Sequence, residues 1–236
     1  MAALRAYPPN PVAPWAEVVP DAPYPMTVDE LHALPDDGWT YELVNGVLVR
    51  MPLSSFGASS VGMRLAIRLG AYVEDNDLGL VTGEQGCYRL DPAHPLETEV
   101  APDVAFVQAD RLPSPTSPDY YKRAPQLAPD LAVEVASENQ YAPGMGAKAK
   151  TYLTFDTRLV WVIWPRYRRV DVWRTGDEAP TPLGIDEAPT PLGIDDALDG
   201  EDVVPGFTYS IARLFPLTAY DGRRLRLGPT RSIALF

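Results

Sequence analysis

Two stretches of this chain read as apolar β-strands, and each carries one acid: Ala101-Pro102-Asp103-Val104-Ala105-Phe106-Val107 and Leu131-Ala132-Val133-Glu134-Val135-Ala136. An unpaired carboxylate inside such a segment is costly, so the fold must give both acids a partner. Side chains alternate between the two faces of a strand. Glu134 therefore shares a face with Ala132 and Ala136, while Leu131, Val133 and Val135 point the other way. Asp103 shares its face with Ala105, and Val104 and Phe106 face away. The bulky faces are expected to pack on helices. The small faces leave a hollow with acids in it, which suits a hard divalent cation bound through oxygen.

Lysine is scarce, being present only at 122, 148 and 150. Two of the three follow the Glu134 strand on a helix expected over about 146–155. Lys148 and Tyr152 are four apart and share a helical face, whereas Lys150 lies about 200° around the axis from Lys148. With Tyr152 and Leu153 marking the buried side, Lys148 is the lysine placed to reach inward. Two acids and a lysine converging on one hollow suggest phosphodiester hydrolysis. The acids would hold Mg2+ or Mn2+, and the lysine would orient water or offset charge growing on the phosphate.

Other signals supply the framework. Thr27-Val28-Asp29-Glu30 has capping-box spacing and predicts a short helix. Tyr41–Val44 and Val47–Met51 flank Asn45-Gly46, a strong hairpin signal. Val61, Leu65, Leu69 and Tyr72 recur at helical spacing and predict a helix over about 59–74, ended by Asp75-Asn76-Asp77. Further strands are expected at 80–82 and 87–90, joined by a turn with Gly83 and Gly86. Two more lie at 159–164 and 168–173, joined across Pro165. Strands mixed with helices in this order imply an α/β or α+β fold with a mixed sheet flanked by helices.

Residues 1–25 read as an extended Pro- and Ala-rich lead-in, 26–216 as one domain, and 217–236 as a basic tail. Residues 177–185 repeat as 186–194, a tandem copy expected to lengthen a surface loop over 175–198. The first residues lack the apolar run of a secretory signal, and the single Cys87 reads as a small core residue, so a reducing cytoplasm fits. The net charge of −12 weighs against a general DNA-binding protein. It leaves room for an enzyme that meets phosphate through a metal and a local basic patch.

Arg158, Arg166, Arg168, Arg169 and Arg174 cluster with Trp161, Trp164, Tyr167 and Trp173. That hairpin suits either nucleic acid or contact with a second copy of the chain; the acidic balance tilts the expectation towards a homodimer. His32 and His94 are the only histidines, with nothing to bring them together. No Gly-x-Ser-x-Gly elbow or Gly-rich phosphate loop is present. Glu84 and Gln85 read as solvated turn residues and Tyr152 as core packing. Glu42 reads equally as a solvated hairpin residue or a site acid. Glu134 with Lys148 as a purely structural ion pair is the alternative to a metal site.

The blocks Tyr41–Gly46, Ala101–Val107, Leu131–Ser137, Lys148 with Tyr152, Leu159–Trp164 and Asp199-Gly200 to Pro205-Gly206-Phe207 together resemble the Uma-type family of putative restriction endonucleases, within the PD-(D/E)xK nuclease superfamily. The resemblance covers most of residues 25–216 and implies a restriction-endonuclease-like core. It implies metal ligation by Asp103, Glu134 and the Val135 carbonyl, Glu42 as an additional acid, and Lys148 as the catalytic lysine. It also implies nucleic acid, DNA foremost, as substrate. The superfamily places its lysine two residues after the second acid; that position is Ala136 here, and Lys148 on the following helix stands in for it. Relatives often carry a histidine near 58, where this chain has Phe56-Gly57-Ala58-Ser59. A nuclease-fold module that binds or assembles without cleaving is the second reading.

Overall fold

The computed structural model describes residues 13–90, 96–118, 120–121, 124–138, 140–175 and 190–215. His94, Lys122, most of the duplicated loop and the basic tail fall outside these residues. The elements in chain order are β1 (Glu17–Val18), α1 (Val28–His32), β2 (Thr40–Val44), β3 (Val47–Met51), α2 (Phe56–Asp75), β4 (Gly79–Gly83), β5 (Tyr88–Arg89) and β6 (Glu99–Val100). There follow β7 (Val104–Gln108), β8 (Leu131–Val135), α3 (Ala142–Thr154), β9 (Leu159–Trp164), β10 (Arg169–Arg174), β11 (Thr190–Leu192), β12 (Ala197–Asp199), β13 (Thr208–Ser210) and α4 (Ile211–Leu214).

The central sheet has six strands in the order β11-β10-β9-β8-β7-β4. It is mixed, as expected: β8 and β9 run parallel, and every other neighbouring pair is antiparallel. Parallel neighbours need a crossover, and α3 supplies it. The bulky face of the sheet, with Val104, Phe106, Leu131, Val133 and Trp161, packs on α2 and α4. The small face, with Ala105, Ala132 and Ala136, meets α3 and one side of a second sheet. The alternation read from the two acid-bearing strands thus assigns both faces correctly.

That second sheet has the order β1-β3-β2-β6-β5. Its outer side is closed by α1, through Val28 and Leu31 against Leu43 and Leu48. The capping box of α1 forms in both directions between Thr27 and Glu30. The β2–β3 turn places Asn45 and Gly46 at φ 49° and 73°. A Cβ on Gly46 would lie 2.8 Å from Cβ of Pro25, so the position needs glycine twice over.

Both long helices begin earlier than the periodicity predicts. Ser55 caps α2 by accepting from the Ala58 amide. The first turn escapes the apolar pattern because Phe56 points into solvent, 94% exposed. Helix α3 starts at Ala142, four residues before its expected start, with Pro143 in its first turn. Gly144 lies before the expected start of the helix and Gly146 at it, and both are closely packed. A Cβ on Gly144 would lie 3.0 Å from the Pro14 carbonyl oxygen, and one on Gly146 would lie 3.2 Å from the Trp173 ring. Residues 13–18 of the expected lead-in bury Ala13 and Trp15 in the core and add β1 to the second sheet.

The strands at 79–83 and 88–89 belong to different sheets. The turn between them therefore bridges the two sheets and carries Glu84 and Gln85 to the mouth of the space enclosed there. Thr190-Pro191-Leu192, from the second copy of the repeat, pairs with β10 as the edge strand of the central sheet. Proline is tolerated in such an edge position. No helix among the described residues is long and apolar enough to cross a membrane.

Candidate functional site

The two sheets and α3 enclose a cleft of about 150 Å3, lined by Glu42, Glu84, Gln85, Asp103, Glu134, Val135, Ser137, Gln140 and Lys148 among others. Glu42 comes from β2 of the second sheet. Asp103 precedes β7, Glu134 sits on β8, and Lys148 comes from the middle of α3. All four sequence-derived candidates therefore share one hollow.

Glu42 and Lys148 are each only 1% exposed. Glu42 is therefore not the solvated hairpin residue that the sequence also allowed. The Lys148 ammonium lies 3.2 Å from Glu42 Oε1 and 3.0 Å from Glu134 Oε1. Tyr152, one turn further along α3, packs its ring in the core and donates its hydroxyl to Glu134 Oε1 at 2.7 Å. Its reading as core packing alone is incomplete. The second half of that role required knowing that its hydroxyl meets a buried acid. Lys150 is half-buried and does not line the cleft.

Asp103 accepts a hydrogen bond from the Val135 amide at 2.6 Å, which ties β7 and β8 together at the cleft. Continuing the β7–β8 register puts Pro102 opposite Val135. Proline has no N–H to offer the Val135 carbonyl. Glu42 Oε1 accepts from the Ala101 amide and from Lys148, while Glu42 Oε2 is buried with no hydrogen-bond partner. An unsatisfied carboxylate oxygen inside a protein is costly and calls for an explanation.

Asp103 and Glu134 are both held above the ordinary carboxylate range. Burial pushes the Asp103 carboxyl up to about 6, against the opposing pull of the Val135 amide and the Lys148 charge. Burial pushes Glu134 up to about 8, and the nearby Asp103 and Glu42 charges reinforce it against Lys148. For Lys148, burial opposes the charged form, but Glu134, Glu42 and Asp103 outweigh it and hold the ammonium protonated. Burial and the neighbouring Glu134 and Glu42 raise the Tyr152 hydroxyl well above its usual value, so it remains a donor. Glu84 adds its charge to the set around Asp103, a contribution the sequence did not signal because the turn joining two sheets is a tertiary feature.

The other buried acids of the central sheet are engaged. Asp130 accepts from the Gln108 amide and pairs with Arg111 at 2.7 Å and with Arg158. Asp171 accepts from the Trp164 indole at 2.8 Å and pairs with Arg169 at 2.9 Å. Arg174 pairs with Glu201. Three of the five clustered arginines therefore face carboxylates, and Trp161, Trp164 and Trp173 are buried. The exposed remainder of that hairpin is Arg166 and Tyr167. His32 pairs with Glu99, away from the cleft. Cys87 is half-buried, and burial pushes its thiol up to about 11, aided by Glu99 and Glu42.

Among the described residues, no three His, Cys, Asp or Glu side chains form a ready-made metal cage. Asp103, Glu134 and the Val135 carbonyl nevertheless offer oxygen donors to one hollow, with Glu42 Oε2 unpartnered beside them. That donor chemistry fits a hard divalent cation, and the excess of buried negative charge favours one.

A family model described as Uma2, putative restriction endonuclease, matches residues 28–212. The fold is similar to that of a crystal structure of a putative nuclease belonging to DUF820 from Anabaena variabilis. The TM-score is 0.65 at 19% identity, over 81% of this chain and 98% of that one. At that identity the likeness concerns the fold. No curated protein matches the chain.

Proposed function

We propose, because this chain belongs to the Uma2 putative restriction endonuclease family, that it is a metal-dependent endonuclease that hydrolyses phosphodiester bonds in nucleic acid, DNA foremost. The observation that carries the reading is the meeting of Asp103, Glu134 and Lys148 in one cleft with an unsatisfied oxygen of Glu42.

In this reading Asp103, Glu134 and the Val135 carbonyl would hold Mg2+ or Mn2+, and Glu42 would supply further negative charge. When bound, the ion polarises the phosphoryl group and makes a coordinated water more acidic. Tyr152 fixes the rotamer of Glu134 through its hydroxyl, so the carboxylate is oriented beforehand. Lys148 neutralises the acids while the cleft holds no cation. With that charge met by a bound ion, the Lys148 ammonium would be free to orient the attacking water or to balance charge on the phosphate oxygens. Asp103 and Glu134 would have to be ionised to hold a cation, so tighter binding is expected at higher pH.

Calorimetric titration with Mn2+ and Mg2+, paired with plasmid nicking, tests this. The expected result is metal binding and metal-dependent nicking, both abolished by Glu134→Ala in a variant whose circular dichroism matches the wild type. The second reading, a nuclease-fold binding or assembly module, draws on the −12 charge and on Ala58, which lies buried where the family resemblance implies a histidine. Metal binding with no cleavage of plasmid, single-stranded DNA or RNA would favour that module and overturn the enzyme.

A further inference from the structure

The cleft does not end at the acids. Ser137 and Gln140 line both it and a second groove of about 240 Å3. That groove runs between the first turn of α2 (Ser55, Gly57, Ala58) and the turn joining β9 to β10 (Trp164 to Tyr167). Its surroundings are unlike an ordinary protein surface. Leu53, on the cleft wall, is 88% exposed and Tyr167, on the groove wall, 65%; Phe56, next in the chain to the groove-lining Ser55 and Gly57, is 94% exposed. Large apolar side chains clustered in water beside a functional cleft mark a binding surface.

The charge of the same walls narrows the occupant. Cleft and groove together present Glu42, Glu84, Asp103, Glu134 and Glu138, against Lys148, which is buried among the acids, and Arg166. Duplex DNA is bound mainly through many contacts to closely spaced phosphates, and this lining cannot supply them. An unpaired strand has half the charge density and exposes base faces, which stack on aromatic side chains. Tyr167 is suited to that task. Its ring stands 6.4 Å from that of Trp164, which is itself anchored to Asp171, and the Arg166 guanidinium lies 5.9 Å from it.

We propose that this groove takes an unpaired nucleic-acid strand leading into the cleft, with Phe56 and Tyr167 stacking on bases and Arg166 meeting a backbone phosphate. This rests on the nuclease reading above and adds to it a substrate class: single-stranded or locally opened nucleic acid rather than intact duplex.

The test is fluorescence anisotropy with a labelled fifteen-nucleotide oligo-dT and a labelled hairpin duplex, on the full chain with Ca2+ replacing Mg2+. The single strand is expected to bind roughly tenfold tighter or better. Phe56→Ala and Tyr167→Ala should each weaken it roughly 5- to 100-fold, the range of one lost base stack. Both sites are exposed, so folding is preserved. Tyr121→Ala, equally exposed but off the groove, should change nothing. Equal or tighter duplex binding, or unchanged affinity in both groove variants, overturns the inference. So does sedimentation showing a dimer that these substitutions dissociate while strand binding persists, since a second copy would then cover the patch. If nicking occurs without single-strand preference, only this inference falls. If the strand binds through Phe56 and Tyr167 but nothing is cleaved, the groove stands and the enzyme reading falls.

Discussion

Glu134→Gln should make the metal-free protein more stable at alkaline pH. Glu134 is buried at 5% exposure, with its carboxyl raised from 4.5 to about 8, chiefly by loss of hydration. A carboxyl raised in the folded state stabilises the fold fully below its unfolded value, and that advantage is lost as pH rises through the folded value. At pH 8.5 most of that advantage is gone, a cost on the order of 5 kcal/mol or less for a carboxyl held up at about 8. The amide keeps an oxygen to accept from Tyr152 and Lys148 but is itself dehydrated on burial. A net gain of roughly 2–3 kcal/mol is therefore expected. For a chain of this size that is about 5–10 °C in Tm. Thermal melts in EDTA at pH 8.5 should show the gain, and melts at pH 5 should bring the two proteins within about 1 kcal/mol. Added Mn2+ should raise the wild-type Tm and leave the variant unmoved. A variant less stable than wild type at both pH values would refute the reasoning. It would mean that Glu134 and Lys148 form a net stabilising ion pair, and that the cleft does not hold carboxylates at a cost.

Lys148→Met removes the cation between Glu42 and Glu134 and should cost about 3–5 kcal/mol at pH 8 in denaturant titrations; saturating Mg2+ should return part of that loss. Tyr152→Phe keeps the ring packing but removes the 2.7 Å bond to Glu134. It should cost about 1 kcal/mol of stability. Because that hydroxyl holds the Glu134 pKa down, the rise of Mn2+ affinity with pH, followed calorimetrically, should shift to higher pH. Gly46→Ala meets Pro25 at 2.8 Å with φ at 73° and should lose about 1–3 kcal/mol in urea melts, with no change in metal affinity per folded molecule.

Much of this protein is local and therefore legible in one dimension. The Thr27–Glu30 capping box, the Asn45-Gly46 turn and the alternation around Asp103 and Glu134 each depend on neighbours within a few residues. The sequence places them correctly without knowing the fold. It also separates Lys148 from Lys150, because the helical repeat alone puts them on different sides. Signals fail where the decisive contact is distant. Phe56 hides the first turn of α2 because its partner is not the core. The expected helix misses Gly144, and nothing local shows why Gly144 and Gly146 are small, because their close neighbours, Pro14 and Trp173, are remote in sequence. The arginine and tryptophan hairpin looks like a single surface patch, yet burial takes its three tryptophans, Asp171 of the same hairpin takes Arg169, and the distant Asp130 and Glu201 take Arg158 and Arg174.

The sequence by itself determined the layers of the fold and nominated Asp103, Glu134 and Lys148, since an acid amid Ala and Val demands a partner wherever it ends up. Only the tertiary structure decided that Glu42 is buried beside them, that Tyr152 holds Glu134, and that Glu84 and Gln85 reach the cleft. Those outcomes depend on how a second sheet and a crossover helix close over the first. Closure of that kind is fixed by the packing of residues far apart in the chain, which no local pattern records.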